Sequence, residues 1–475
     1  MSTLDWLVLS LTLLSVIAYG IYKSTHEQNL SSYFKSNNSM SWFLILLSIM
    51  GTQASAITFL SAPGQAYTDG MRFVQYYFGL PLAMVVLCVT FVPMFHKLKV
   101  FTAYEFLEQR SIEKTRILTS LLFLIQRGLS TGISIYAPSI ILSSLLGWNI
   151  YFTNLVMGGL LIIYTVSGGA KAVAYTQMQQ LFVVFVGMFM AGYLIVYLLP
   201  DGVSFSDALQ VAGKTGKLNV IETKIDITDS HWWKDKYNIW SGIIGGFFLA
   251  LSYFGTDQSQ VGRYLTAKNI NESRLGLLMN GLVKVPMQFL ILLVGALLFS
   301  FYSFYKAPVF FNQKQTEKVL SSPYASEFIS LSSQYDSLNT LKQHHTQQLI
   351  QALHTNRETS PHKLSLHNTE GQAQQIRKQA INVIKKASPA ADTNDTNYIF
   401  LYFVVHHLPK GLIGLLIAMI FLAAWGSIAA ALNSLASTTI IDLYKRNHTT
   451  EKSEIHYYNR AKWFTLLWGL FCIGV

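Results

Sequence analysis

Gly51-Thr-Gln-Ala-Ser-Ala-Ile-Thr-Phe-Leu-Ser-Ala-Pro-Gly64 lies inside an apolar run, 42–65, long enough to cross a bilayer. The stretch nevertheless mixes an amide, hydroxyls, glycine and proline. Glycine adds chain freedom and proline removes a backbone donor, so a helix here is prone to interruption. In lipid, backbone that leaves the helix persists only where it faces protein or a water-filled cavity. Interrupted apolar segments are the sequence pointer to a midplane solute or ion site. Small residues that pack helices closely would give the same composition, so one such segment is not enough.

The rest of the chain supplies the membrane. Of its 475 residues 51% are hydrophobic and only 12% charged, with a mean hydropathy of +0.34. Soluble domains carry about a quarter charged residues. Further apolar runs fall at about 5–22, 73–95, 117–145, 150–166, 173–199, 239–260, 277–302 and 411–441. They lack the alternation of barrel strands, so the fold is an all-α integral membrane bundle. Asp5 precedes the first run, with no basic leader and no cleavage pattern, which predicts a retained span. Cys88 and Cys472 fall inside apolar runs and read as small core residues rather than a disulfide framework.

The net charge of +11 would suggest nucleic acid in a soluble protein. Here Lys23 and Lys35, Lys97 to Arg116, Lys171, Arg263 to Arg274, and Lys445 to Lys462 occupy alternate loops, while Arg72 stands alone between the second and third spans. The basic side is predicted to be cytoplasmic, which puts the N-terminus outside and excludes nucleic acid as the partner. Lys284, near the start of its run, is expected to snorkel toward that side.

Residues 306–397 are rich in Gln, His, Ser, Asn and Lys, and read as a polar extracytoplasmic insertion. It separates a bundle over 1–305 from a last part over 398–475. Stretches 327–352 and 370–386 predict amphipathic helices. His344, His345 and His354 are expected on a solvated face rather than around a metal. The final run, Trp463–Val475, would reach about 20 Å, short of the roughly 30 Å hydrocarbon core, so the chain is expected to be C-terminally incomplete.

A second interrupted segment is Ser241-Gly-Ile-Ile-Gly-Gly246. A third feature is the run Phe421 to Thr438, where Ala423, Ser427 and Ser434 share one helical stripe. Opposite a broken helix, carbonyls and a hydroxyl suit a hard cation such as sodium. Close packing of small residues would give the same stripe.

Several motifs, in order along the chain, resemble the sodium:solute symporter family. They are Ser55 to Tyr67, Ser130-Thr-Gly-Ile-Ser-Ile-Tyr-Ala-Pro138, Gly168-Gly-Ala-Lys-Ala-Val173, Asp257-Gln through Arg263-Tyr-Leu265, and Leu432-Asn-Ser434 through Asp442-Leu-Tyr-Lys-Arg446. The resemblance is to the iodide, multivitamin, monocarboxylate and sialic-acid branches. It implies a five-plus-five inverted-repeat (LeuT-like) transporter fold with one extra N-terminal helix, here supplying core helices one to eight and part of the ninth. It also implies a multi-pass protein of the plasma or inner membrane that works as a monomer. Sodium would bind carbonyls of Gly51, Ala54 and Ala423 and the Ser427 hydroxyl. The family's usual pair of hydroxyls is Gly426-Ser427 here, and Gln177 stands where Asp is common on the coupling or exit path.

Gln53, Thr58, Gln75, Tyr76 and Gln126 are the expected polar lining of a solute site, and each also suits a structural role. Arg127 lies at membrane depth, with no carboxylate evident in a neighbouring span. It either bonds helix-end carbonyls and snorkels, or holds an anionic solute as the resemblance to sialic-acid carriers implies. The expected function is sodium-coupled import of a small polar solute, one bearing a carboxylate if Arg127 faces it. The alternatives are a solute sensor without turnover, and a proton-coupled or sodium-independent carrier of a neutral sugar. No set of residues for covalent chemistry appears, so an enzyme is not expected.

Overall fold

The computed structural model describes residues 1–24, 28–110, 113–223, 237–389, 391–446 and 452–475. Helix α1 (Thr3–Tyr22) starts on a capping box in which the Asp5 carboxylate accepts from the Ser2 backbone amide at 2.6 Å. The same carboxylate accepts from the Gly411 amide at 2.6 Å, which explains why an acid at this terminus is buried. A short α2 (Leu30–Lys35) leads to α3 (Trp42–Gln53) and α4 (Ala56–Asp69), which meet at 67°. The predicted interruption is therefore present, at Ala54, whose ψ of 93° ends the helix.

A 3-10 turn (Met71–Tyr77), α5 (Leu80–Val89) and α6 (Phe91–Leu98) form the next span, and α7 (Ala103–Arg110) lies beyond it. Then come α8 (Glu113–Leu146) and α9 (Ile150–Tyr197). At 48 residues a straight α9 would reach roughly 72 Å, more than twice the hydrocarbon core. It is two spans that meet at Gly169, whose φ of +57° and ψ of −157° break the helix. After α10 (Phe205–Lys214), a π turn (Ser241–Gly245) opens α11 (Gly246–Thr256), followed by α12 (Gln258–Tyr264) and α13 (Ile270–Phe304).

The second interruption corrects the sequence expectation. The Ser241–Gly246 cluster does not break its helix. A Cβ at Gly242 would sit 2.2 Å from the Gln75 carbonyl and one at Gly246 2.6 Å from that of Tyr76, so these glycines let two backbones touch. The break lies eleven residues past Gly246, at Asp257, where φ −78° and ψ 115° separate α11 from α12.

The insertion contains α14 (Gln313–Leu320) and a hairpin of α15 (Ala325–His354) and α16 (Ser360–Ala387), the two long helices expected there. The hairpin docks by buried charge. Lys342 meets Glu370 at 2.8 Å, and the Lys342 and Lys217 ammoniums lie 4.3 and 4.7 Å from the Phe299 ring centre. Burial alone would raise the Glu370 carboxyl, but Lys342 and Lys217 hold it below the usual carboxylate range. Arg377 pairs with Asp395, which also accepts from the Phe311 amide at 2.7 Å. His354 bonds Asp207 at 2.9 Å, and the described residues contain no group of three metal-ligating side chains.

Helix α17 (Thr396–His407) closes on α4, where a Cβ at Gly64 would meet the Thr396 carbonyl at 1.9 Å. Tyr67 packs there against Phe299, Tyr302 and Phe311. Helix α18 (Leu412–Thr438) is buried along nearly its whole length, as a central helix must be. Helix α19 (Glu454–Gly474) has 21 residues, so the 13-residue apolar run is the end of a helix about 31 Å long that begins in polar sequence. Among the described residues six helices, the bent α9 taken as one, are long and apolar enough to cross a membrane, and the bent α3–α4 pair makes a seventh.

Candidate functional site

The break at Ala54 exposes two kinds of backbone group. The Ala54 amide bonds the Met50 carbonyl at 2.8 Å, after which the carbonyls of Gly51, Thr52 and Gln53 have no helical partner. Across the break, α4 begins at Ser55 with no side chain capping its amides. The carbonyl end carries the negative end of one helix dipole and the amide end the positive end of another. One break thus offers a cation and an anion their own terminus.

The Gly51 carbonyl faces α18, since a Cβ at Gly426 would lie 2.9 Å from it and 3.0 Å from Gln180 Oε1. Ala54 and Ala423 are buried. The Ser427 hydroxyl donates to the Ala424 carbonyl at 3.0 Å, leaving its oxygen lone pairs free for a cation. Thr52, Thr131 and Ser134 likewise spend their hydrogens on backbone carbonyls at 2.7, 2.6 and 2.8 Å. These oxygens and Ser427 line a cavity of about 30 Å³ together with Arg127 and Ser259. Its oxygens are neutral, as suits sodium, but the Arg127 guanidinium stands in the same wall, and of the four expected ligands only Ser427 lines it, not Gly51, Ala54 or Ala423.

Gln177 explains the two departures in the expected ion site. Its amide Nε2 donates to the Gly426 carbonyl at 2.7 Å and to Thr52 Oγ1 at 3.1 Å, while Oε1 accepts from Ser48 at 2.7 Å. The side chain therefore clamps α3 to α18 through α9 without an ion. Position 426 is glycine because the backbones approach too closely there for a side chain, so Gly426 is a packing requirement.

Between the two breaks lies a cavity of about 560 Å³, with Gln53, Tyr76, Tyr77, Gln126, Asp257 and Lys284 among its polar walls. Tyr104 and Thr119 line its other end, so it reaches toward the face with the basic loops. Of the five residues besides Arg127 expected to line a solute site, Gln53, Tyr76 and Gln126 line this cavity. Gln53 Oε1 is buried with no hydrogen-bond partner. Thr58 does not line the cavity and turns its hydroxyl to Ser55 at 3.5 Å. Gln75 is a structural tie: its amide donates to the carbonyls of Arg72 and Tyr237 and accepts from the Glu222 amide at 3.0 Å.

Arg127 and Lys284 both sit otherwise than expected. Arg127 does have an acidic partner: Nη2 meets Asp257 Oδ2 at 2.6 Å and also contacts Ser259. The sequence hid this because Asp257 sits at a helix end that only the fold brings to α8. Lys284 does not snorkel. It lies fourteen residues into α13, about 21 Å from the helix start, and is 2% exposed. Its ammonium lies 5.7 Å from the centre of the Tyr77 ring, and no carboxylate pairs with it among the described residues. A signal was available: Asn280, Lys284 and Gln288 recur every four residues in an apolar run, which marks one polar helix face. All three are buried, and Asn280 Oδ1 and both Gln288 amide atoms lack partners.

Two broken helices, a polar cavity between them and a neutral oxygen cluster beside it define the class as a multi-pass membrane protein. The chain belongs to the sodium:solute symporter family, whose model matches residues 33–323 and 378–474. The unmatched segment holds α15 and most of α16. The sodium/iodide cotransporter of Homo sapiens is 28% identical over 283 residues, 58% of this chain and 42% of that protein. The sodium-dependent multivitamin transporter of Oryctolagus cuniculus is 30% identical over 274 residues, 56% of this chain and 41% of its own. The sodium-coupled monocarboxylate transporter 1 of Homo sapiens is 30% identical over 281 residues, 58% and 44% of the two chains. The chain thus spans less than half the length of these curated relatives. A solved structure of a Na+-coupled sialic acid symporter, substrate-bound and outward-open, shares the fold with a TM-score of 0.73 at 23% identity, over 99% of this chain and 81% of that one.

Proposed function

We propose that this protein is a sodium-coupled symporter that imports a small carboxylate-bearing solute by alternating access. The observation that supports this most is Lys284, an ammonium without a carboxylate partner in the wall of a cavity between two broken helices. A buried cation is costly unless paired, and a solute carboxylate is the partner that would relieve it. Gln53, Tyr76 and Gln126 would orient the rest of the solute. Sodium would use the carbonyls of Gly51, Ala54 and Ala423 with Ser427. Gln177 would hold α3 against α18 as a fixed clamp, which favours a single sodium per cycle.

The cavity reaches toward the basic face while α17 and the aromatic cluster around Tyr67 close the opposite one. This supports reading the state as inward-facing, and the N-terminus and the 306–397 insertion would then lie outside a plasma or inner membrane. A five-plus-five repeat accounts for one broken helix in each half, and a monomer suffices for the path. A sodium-independent carrier or a sensor is the second reading, favoured by the ion-free Gln177 clamp. Uptake of radiolabelled pyruvate, N-acetylneuraminate and glucose into proteoliposomes, in sodium and in potassium, separates them. Sodium-dependent accumulation of an acid supports the symporter. Binding that ignores sodium would leave the second reading.

A further inference from the structure

Two cavities meet at one ion pair. The 560 Å³ cavity has Asp257 in its wall, the 30 Å³ oxygen cavity has Arg127 and Ser427 in its wall, and Tyr253 borders both. Asp257 works in two directions. Its Oδ1 accepts from the Ser259 amide at 2.8 Å and the Ser259 hydroxyl at 2.6 Å, capping α12 at the helix break. Its Oδ2 holds Arg127 of α8 at 2.6 Å. The guanidinium lies 5.8 Å from the centre of the Tyr253 ring, and its Nε is buried with no partner. A side chain with a spare donor, pinned at one end only, can shift without leaving its carboxylate.

We infer that the Arg127–Asp257 pair is the electrostatic partition through which the candidate sodium site and the solute cavity influence each other. This rests on the sodium-coupled reading above. A cation beside Ser427 repels the guanidinium and attracts the carboxylate, so it moves positive charge toward the solute cavity. An anionic solute there draws the guanidinium away from the oxygen cavity and so favours the cation. Coupling of this kind is reciprocal by thermodynamic necessity. Arg127 is then a positioning residue between the sites, and Lys284 the group that meets the solute.

Charge makes the test directional. Binding of 22Na+ to the full chain in nanodiscs is measured alone and with pyruvate or N-acetylneuraminate as the anionic probe. Asp257→Asn leaves Arg127 unshielded beside the site and should weaken sodium at least about tenfold, whereas Arg127→Gln leaves Asp257 unopposed and should tighten it about threefold or more. The double variant should return to within about threefold of the parent, because both charges are gone. In every one of these variants the probe should no longer shift the sodium midpoint.

A purely structural pair would weaken sodium binding in both single variants. Movement of both in the same direction, or an undiminished probe effect in them, overturns the inference. If Arg127→Gln does not fold, Asp257→Asn against Asp257→Glu makes the same comparison, since only the first removes charge. A parent protein that binds no sodium would overturn the symporter reading and this inference together. Sodium binding in the parent with unaltered variants would sink the inference alone.

Discussion

Replacing Lys284 with methionine keeps the length and apolar stem of the side chain and removes its charge. The ammonium is 2% exposed and has no acidic partner among the described residues, so the folded protein bears a desolvation penalty that methionine does not. For buried ions that penalty is several kcal/mol, and part of it should return as stability, about 1–3 kcal/mol. Solute binding should change the other way. An ammonium and a carboxylate about 4 Å apart, at an effective dielectric of about 20, attract by about 4 kcal/mol. Losing that contact weakens binding by roughly a thousandfold. Equilibrium binding of pyruvate and N-acetylneuraminate, with the thermal unfolding midpoint in the same detergent, reads both effects. A methionine variant that binds the acid as well as the parent, or that unfolds at lower temperature, would refute Lys284 as an unpaired solute ligand.

Gln177→Leu strips partners from Ser48 and the Gly426 carbonyl, and at about 1–3 kcal/mol per buried group left unpaired it should lower the unfolding midpoint and weaken 22Na+ binding. Gly426→Ala brings a methyl to 2.9 Å from the Gly51 carbonyl; overpacking of about 1–3 kcal/mol should part α18 from α3 and raise the sodium midpoint with the fold retained. Burial pushes the Lys217 ammonium, under the hairpin, down to about 8 from 10.5. The unfolded chain then holds more protons between those values. Stability of the docked hairpin should therefore rise from about pH 8 to 10.5, by up to roughly 3 kcal/mol, read as resistance of 325–387 to limited proteolysis and absent in Lys217→Met.

Short-range chemistry made much of this molecule readable in one dimension. The lipid requirement for satisfied backbone and the length of the apolar runs fix a helical membrane bundle. The mix of glycine, proline and amides in Gly51–Gly64 fixes where one helix breaks. The polar composition of 306–397 fixes an insertion of amphipathic helices, and the order of the Asp257 to Leu265 and Gly168 to Val173 motifs fixes the family.

Contacts between distant residues were beyond that reading. Nothing local distinguishes the glycines at 242 and 246, which serve packing, from an interruption, which falls instead at Asp257. Arg127 and Asp257 are 130 positions apart, and only the fold turns two costly charges into a pair. Lys284 has the stem to snorkel, but its depth in α13 and the neighbours around it keep its charge in the cavity. The sequence alone determined which residues must avoid lipid. Which of them satisfy one another, and which are left for a ligand, was decided by tertiary structure, because pairing energy depends on distances that chain order does not encode.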